Sequence, residues 1–320
     1  MPFLFGGLFS TSALIISNKI SQFDNYQFPP NFRLVFLSII AVMIGGTVNQ
    51  EILNSFGYLW LSISAIAVFV LLAHLVNYLL FFYLGKYDRV TAFYAGAPGG
   101  LVESMTLGEE AGADIRILSI QHFIRIILVI LIVPMAFFIW KGELFGSAGG
   151  LEFSTGQTQA TDWFIIIILS ILGIFVAGKV TFPAKQFIIP LLIGATASII
   201  DYPSFSTPNN LMNICQLVIG VALGSRFIGI TRQLIVKTIW LGFLSVLFMQ
   251  VIGLFISFVL TSYIEEELEV LLICFAAGGV TEMSLIALSL SVNPLFVTAH
   301  HIFRIILTVV FMGMLRRKFH

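Results

Sequence analysis

The chain alternates long apolar segments with short polar loops. Nine uninterrupted apolar segments follow one another along it: 3–17, 32–48, 57–84, 115–140, 163–181, 187–200, 211–227, 235–262 and 294–315. Several approach the roughly 20 residues that a helix needs to span a bilayer. Two further apolar stretches are broken by glycine pairs: 90–108 at Gly99-Gly100, which follow Pro98, and 270–291 at Gly278-Gly279. The pattern predicts an all-α polytopic membrane protein with about nine full spans and two re-entrant or broken helices.

Composition supports a helical membrane protein. Of the 320 residues, 58% are apolar and only 10% are charged, whereas soluble domains carry about 25% charged residues. A membrane barrel would show short alternating strands instead of continuous apolar runs. The net charge of zero gives no indication of a nucleic-acid partner. Cys215 and Cys274 both lie inside apolar runs, where we expect them to act as small hydrophobic residues.

The polar residues inside the apolar segments repeat at a constant spacing of 179 residues. Glycines, a glutamate, a histidine and an arginine each recur, pairing Gly99 with Gly278, Gly100 with Gly279, Glu103 with Glu282, His122 with His301 and Arg125 with Arg304. We therefore predict a first membrane repeat at 1–140, a linker at 141–162 and a second repeat at 163–320. Segment 163–181 has no counterpart, so the first repeat is expected to lack its first helix. Either the repeats are unequal or the true start lies upstream of Met1.

Charged loops predict how the two repeats are oriented. The loop near Glu51 has no Lys or Arg, but its counterpart near Arg226 is basic. The loop at 86–89 is basic, but its counterpart at 265–269 is acidic. Because basic loops stay in the cytoplasm, the repeats are predicted to be inverted. The basic end at 316–318 places the C-terminus in the cytoplasm.

All basic loops fall on one side only if 90–110 and 270–292 enter and leave the membrane on the same side. We therefore predict two re-entrant hairpins whose tips meet near the bilayer midplane, as in secondary transporters. The helix after each tip would then present its N-terminus as an anion site. The alternative is that both stretches cross as kinked helices, which requires another segment that does not cross.

The repeated polar residues form the candidate site for substrate or coupling. Its members are Gly99, Gly100, Glu103, His122, Arg125, Gly278, Gly279, Glu282, His300, His301 and Arg304. A central Arg in a membrane helix costs about 2.5–3.5 kcal/mol unless it is paired or hydrated, so we expect each arginine to pair with the glutamate of its own repeat. A structural ion pair, proton-dependent gating and direct contact with substrate all remain open as roles.

The histidines differ between the repeats. His300 replaces Gln121, so only the second repeat has two adjacent histidines, which makes His300 and His301 the stronger candidates for proton coupling. Other polar residues within the spans are expected to form interhelical hydrogen bonds. They are His74, Asn77, Asn213, Gln216 and Gln250.

With "APGGLVES…HFIRIIL" and "AAGGVTEMS…HHIFRIIL" in hand, the chain resembles the duplicated AbrB family of bacterial membrane proteins over nearly its whole length. The resemblance implies a multi-pass inner-membrane protein related to cation/proton antiporters and anion transporters. The family also carries the labels of regulator and ammonia monooxygenase. A DNA-binding regulator needs a soluble basic module, and a copper oxygenase needs a histidine-rich ligand set; the residues indicate neither.

We therefore expect a secondary transporter of a small solute, coupled to protons or another ion, in which one bundle rocks against the hairpin-bearing core. A membrane enzyme is not expected, since no nucleophile–base pair, metal set or cofactor motif stands out. The alternatives are a channel, a membrane sensor or regulator acting indirectly on gene expression and, less favoured, a membrane-bound oxidoreductase of the ammonia monooxygenase label. The expected partners are the solute and the lipid bilayer, together with a possible second copy of the chain; no nucleic acid is expected.

Overall fold

The computed structural model of the protein describes residues 2–17, 28–48, 59–141, 159–182, 184–201, 205–225, 232–290 and 292–315. All regular elements in these ranges are helices. In chain order they are α1 (Pro2–Ile16), α2 (Pro30–Gly45), α3 (Leu59–Leu79, continued by a π-helical turn Leu80–Leu84), α4 (Arg89–Ala95), α5 (Leu101–Glu110), α6 (Ile115–Lys141), α7 (Ala160–Gly178), α8 (Lys185–Ile200), α9 (Asn209–Gly224), α10 (Arg232–Leu260), α11 (Leu268–Phe275), α12 (Val280–Ser289) and α13 (Pro294–Leu315).

Helix length and hydropathy fit a membrane protein. Within the described residues, five helical stretches are long and apolar enough to span a bilayer: Leu59–Leu84, Ile115–Trp140, Ala160–Gly178, Thr238–Leu260 and Pro294–Leu315. Helices α1, α2, α8 and α9 are also apolar, but each has only 15 or 16 residues. The all-helical membrane class is thus as predicted, while the number of full spans stays a prediction.

The two glycine-broken stretches are short helix pairs. Helices α4 and α5 contain 7 and 10 residues, and α11 and α12 contain 8 and 10. At about 1.5 Å of rise per residue, each of these helices is at most about 15 Å long, half of the roughly 30 Å hydrocarbon core. The chain therefore breaks at both positions where the glycine pairs predicted it.

The helices form two compact units, and each unit takes helices from both predicted repeats. Unit 1 comprises Met1–Asn54, Glu143–Thr231 and Ser284–Leu295, and unit 2 comprises Ser55–Gly142, Arg232–Met283 and Phe296–His320. Most of the linker 141–162 lies outside the described residues. The charged positions that determine the predicted topology also lie outside them, namely Lys19, Glu51, Arg226 and 316–318. The assignment of the two repeats therefore stays a prediction.

Unit 1 is held together by glycines at helix crossings. Helix α1 packs on α9, and α2 packs on α8. A Cβ atom on Gly45 would collide with the carbonyl oxygen of Leu191, and one on Gly194 would collide with that of Val42. Helix α7 packs on α8 with Gly173 against the ring of Pro190. Small residues allow the close backbone approach on which helix packing in lipid depends.

Unit 2 is built around α3, α6 and α10. Helix α10 packs on α6, α3 and α11, and α4 and α5 pack on α6. The amide of Asn77 on α3 donates to the carbonyl of Gly96 (3.2 Å) and accepts from the hydroxyl of Ser245 on α10 (2.8 Å). This confirms the predicted interhelical hydrogen bond for Asn77. The arrangement fixes the first glycine-broken segment against the long helices of the unit.

The crossing of α2 and α8 gives a stability prediction. Because a methyl group at residue 194 would overlap Val42, we expect Gly194→Ala to reduce the free energy of unfolding by about 1–3 kcal/mol. Thermal unfolding of the detergent-solubilised protein measures the effect. The control is Gly6→Ala on α1, where a Cβ meets no atom within 4 Å. Equal unfolding temperatures for the two variants would contradict this packing.

Candidate functional site

The first glycine-broken segment turns back on itself. The backbone N–H of Asp114 donates to the hydroxyl oxygen of Thr91 (2.9 Å), and the carboxylate of Asp88 accepts from the backbone N–H of Thr91 (2.9 Å). The chain therefore leaves residue 91 and returns to it 23 residues later. The turn at the tip uses Gly100, whose φ of +63° lies in the left-handed region that glycine adopts without strain.

The base of this hairpin is joined to α6 by a second contact. The side-chain amide of Gln121 donates to the hydroxyl of Tyr87 (2.9 Å). Burial raises the pKa of Tyr87, so this hydroxyl stays protonated at neutral pH. Tyr87, just before α4, is thus tied to α6 by a hydrogen bond between neutral groups.

Each arginine binds the carbonyl oxygens at a helix break. Nη1 of Arg125 donates to the carbonyl of Ala97, and Nη1 of Arg304 donates to that of Ala276. Nη2 of Arg304 also donates to the carbonyl of Gly278 (2.5 Å). The residues are buried, with 5% and 1% of their surface exposed. Carbonyls at a helix C-terminus lack intrahelical partners and carry partial negative charge. The guanidinium groups supply these carbonyls with hydrogen-bond donors and with a positive charge.

The glutamates lie at the start of the short helix that follows each break. Glu103 is the third residue of α5, and its Oε2 lies 3.3 Å from the position that a Cβ on Gly100 would take. Glu282 is the third residue of α12 and lies still closer to the corresponding position on Gly279. A carboxylate in the first turn of a helix is stabilised by the positive N-terminus.

These positions correct one expectation from the sequence. The predicted partner of each arginine was the glutamate of its own repeat, but the carbonyls of the break receive the Nη donors instead. The N-termini of α5 and α12 were predicted to be anion sites, which stays a prediction, and a carboxylate of the same helix lies near each of them. The reason is that a broken helix has two ends to compensate, and arginine and glutamate suit opposite ends.

The histidines are held in one tautomer. Nε2 of His122 bonds the carbonyl of Tyr94 and Nε2 of His301 bonds that of Ile273, both at 3.1 Å. Nδ1 of His300 bonds the carbonyl of Phe296 at 2.8 Å. Because a carbonyl only accepts, each of these nitrogens carries the proton. The other nitrogen of each ring has no hydrogen-bond partner among the described residues, so each neutral imidazole keeps a bare lone pair.

Residues from both predicted repeats meet at the first glycine pair. A Cβ on Gly99 would lie 3.3 Å from Thr308 Oγ1 and 3.5 Å from Arg304 Nε on α13. The hydroxyl of Ser104 donates to the carbonyl of Gly99 (3.3 Å) and contacts Met312 Sδ at 3.6 Å. The first break is therefore seated on the helix that carries Arg304. All the candidate residues lie in unit 2.

Three residues of this region were not predicted as members of the site. Ser104 and Thr308 contact the first glycine pair, and the one available signal was that Ser104 follows Glu103 directly. His74 was predicted to form an interhelical hydrogen bond, but neither ring nitrogen has a hydrogen-bond partner among the described residues. Within the same ranges, no three His, Cys, Asp or Glu side chains are grouped closely enough to hold a metal ion.

The fold and the two compensated helix breaks define a helical membrane-type protein with interrupted helices in one of its units. The family whose model is described as "Transition state regulatory protein AbrB" matches residues 3–320, and the chain belongs to this AbrB family. It is 27% identical over 311 residues to "Uncharacterized protein YhjN" of Bacillus subtilis (strain 168), a match that covers 88% of this chain and 77% of the relative. It is 25% identical over 222 residues to "Putative regulator AbrB" of Escherichia coli (strain K12), covering 67% of this chain and 60% of the relative.

The carbonyl contacts give a second prediction. Replacing Arg304 by methionine removes two charge-assisted hydrogen bonds at the second break and leaves buried carbonyls without donors. We expect the free energy of unfolding to fall by roughly 3 kcal/mol, measured by thermal unfolding in detergent. Arg304→Lys should recover little of it, because an ammonium cannot reproduce the planar donors. Arg116→Met on the exposed face of α6 is the control, and a loss of equal size there would contradict the assignment.

Proposed function

We propose that this protein is a secondary transporter of a small solute, coupled to protons or another ion. The observation that carries the proposal is the pair of helix breaks in unit 2, one of which is seated on the helix that bears Arg304. Interrupted helices with polar residues deep in an apolar fold are the architecture of secondary transporter sites. Non-helical backbone at membrane depth is tolerated where it is buried in protein or lines a wet cavity.

The proposed site lies between the two glycine pairs. The carboxylates of Glu103 and Glu282 can take up a proton, and the arginines bind carbonyls through their Nη atoms, so the groups left to meet a solute are the imidazole lone pairs and the Nε–H donors of Arg125 and Arg304. Both kinds of atom have no hydrogen-bond partner among the described residues. A donor and an acceptor one helical turn apart in each repeat suit a small polar solute, and a lone pair is also where a proton would bind.

The transport mechanism we propose is alternating access around this site. The return of the first segment to Thr91 supports the re-entrant interpretation over a kinked crossing helix, because a crossing segment would end on the far side of the membrane. We place the protein in a bacterial inner membrane with a cytoplasmic C-terminus. An effect on gene expression, as the name of the Escherichia coli relative suggests for that protein, would then be indirect, through the transported solute.

Uptake into proteoliposomes tests the coupling role. We expect Glu282→Gln to lower uptake driven by an inward proton gradient by roughly tenfold, the equivalent of about 1.4 kcal/mol of activation free energy. The reason is that the amide at residue 282 cannot bind and release a proton. The solutes are a panel of labelled organic acids and ammonium. Glu110→Gln, on the exposed end of α5, is the matched control. Unchanged uptake in Glu282→Gln removes Glu282 from the coupling mechanism.

Cysteine labelling tests the inverted hairpins. Cys215 and Cys274, both buried, are first replaced by alanine, and a single cysteine is then placed at Glu110 or at Ser289. The two positions follow the two glycine pairs, so an impermeant maleimide added to right-side-out or inverted vesicles should label them from opposite sides. Labelling of both from the same side would rule out the inverted arrangement.

A further inference from the structure

His74 on α3 occupies an unusual place in unit 2. The residue is only 3% exposed. Its ring lies 4.6 Å from the ring of Phe93 on α4 and 5.1 Å from the ring of Phe311 on α13, measured between centroids. One imidazole therefore contacts both the first glycine-broken segment and the helix on which that segment is seated.

Packing alone does not account for an imidazole at this position. Neither Nδ1 nor Nε2 of His74 has a hydrogen-bond partner among the described residues. A neutral imidazole has one N–H donor and one acceptor, and burying both without partners is costly. A phenylalanine would fill the same space between Phe93 and Phe311 at no such cost. We therefore expect the ring nitrogens of His74 to form hydrogen bonds in another protonation state or another conformation.

The surroundings of His74 would respond to its charge. A protonated imidazole would lie within about 6 Å of two aromatic rings, which attract cations. An ionisable neighbour on α6 is His122, whose ring bonds the carbonyl of Tyr94, the residue next to Phe93. The facing side chains of α4 and α13 are phenylalanines, and residues 238–260 of α10 include no ionisable group. Without water or acceptors for its two N–H groups, the charged form is disfavoured in the closed arrangement.

The second repeat lacks this feature. The residue 179 positions after His74 is Gly253, where a Cβ would lie 3.1 Å from Phe275 Cβ. Helix α10 thus packs closely on the end of α11, whereas a titratable ring separates α3 from the corresponding region of the first segment. Protonation at this level can therefore act on one of the two broken segments and not on the other.

We propose that His74 is a proton-binding residue that controls the contact between α4 and α13. In the neutral form its ring packs between Phe93 and Phe311. When the lone-pair nitrogen takes a proton from water, both nitrogens become donors that need acceptors. The charged ring then favours a conformation in which water reaches it, with α4 separated from α13. The inference extends the proposed transport function by naming a coupling residue beyond the repeated set.

Hydrogen–deuterium exchange in lipid nanodiscs tests the proposal without a transport assay. On lowering the pH from about 8 to about 5.5, a range that spans histidine titration, peptides from residues 89–110 should exchange about threefold faster after correction for the intrinsic rate. His74→Phe should abolish this acceleration while keeping the ring packing, and His74→Gln should also abolish it. His320→Phe is the control, because His320 is a histidine that belongs neither to a glycine-broken segment nor to the proposed site.

The outcomes separate this inference from the transporter proposal. Acceleration in the wild type and in His320→Phe, lost in both His74 variants, supports His74 as the proton-binding residue. The same acceleration in folded His74→Phe, or none in the wild type, overturns it. Either result leaves the transporter proposal to be decided by solute uptake of the wild-type protein in proteoliposomes.

Discussion

Compensation of helix ends inside an apolar fold is the constraint on which unit 2 depends. A helix that stops deep in the protein leaves carbonyl oxygens at one end and N–H groups at the other without intrahelical partners. Here an arginine serves the carbonyls before each break, and a glutamate lies over the helix start after it. Each partial charge therefore lies beside a side chain of opposite sign.

This arrangement also positions the histidines. In each repeat, the histidine one turn before the arginine donates to a carbonyl of the short helix that precedes the break. His122 and Arg125 therefore both bind the first broken segment, and His301 and Arg304 both bind the second. In each case 28 residues separate the two partners. The second ring nitrogen of each of these histidines has no hydrogen-bond partner among the described residues.

The two compact units are held together by different kinds of contact. Unit 1 relies on glycines that bring helix backbones together, and such contacts favour a rigid body because any added atom collides with a carbonyl. Unit 2 contains the interrupted helices, whose ends are joined by hydrogen bonds and side-chain contacts rather than by continuous backbone ladders. Elements held in this way open locally at a lower free-energy cost than long packed helices.

The sequence by itself determined the membrane class, the two breaks and the set of polar residues at them. Hydropathy, glycine pairs and charged residues within apolar segments can all be recognised from local sequence. Helices such as α3 and α13 also begin or end within two residues of their predicted bounds. The tertiary structure alone decided the partners. Whether Arg125 meets Glu103 or the carbonyl of Ala97, and whether His74 finds a hydrogen bond, depends on how helices are rotated and packed against one another. Spacing along one chain does not specify that rotation, since it is settled by contacts with distant segments.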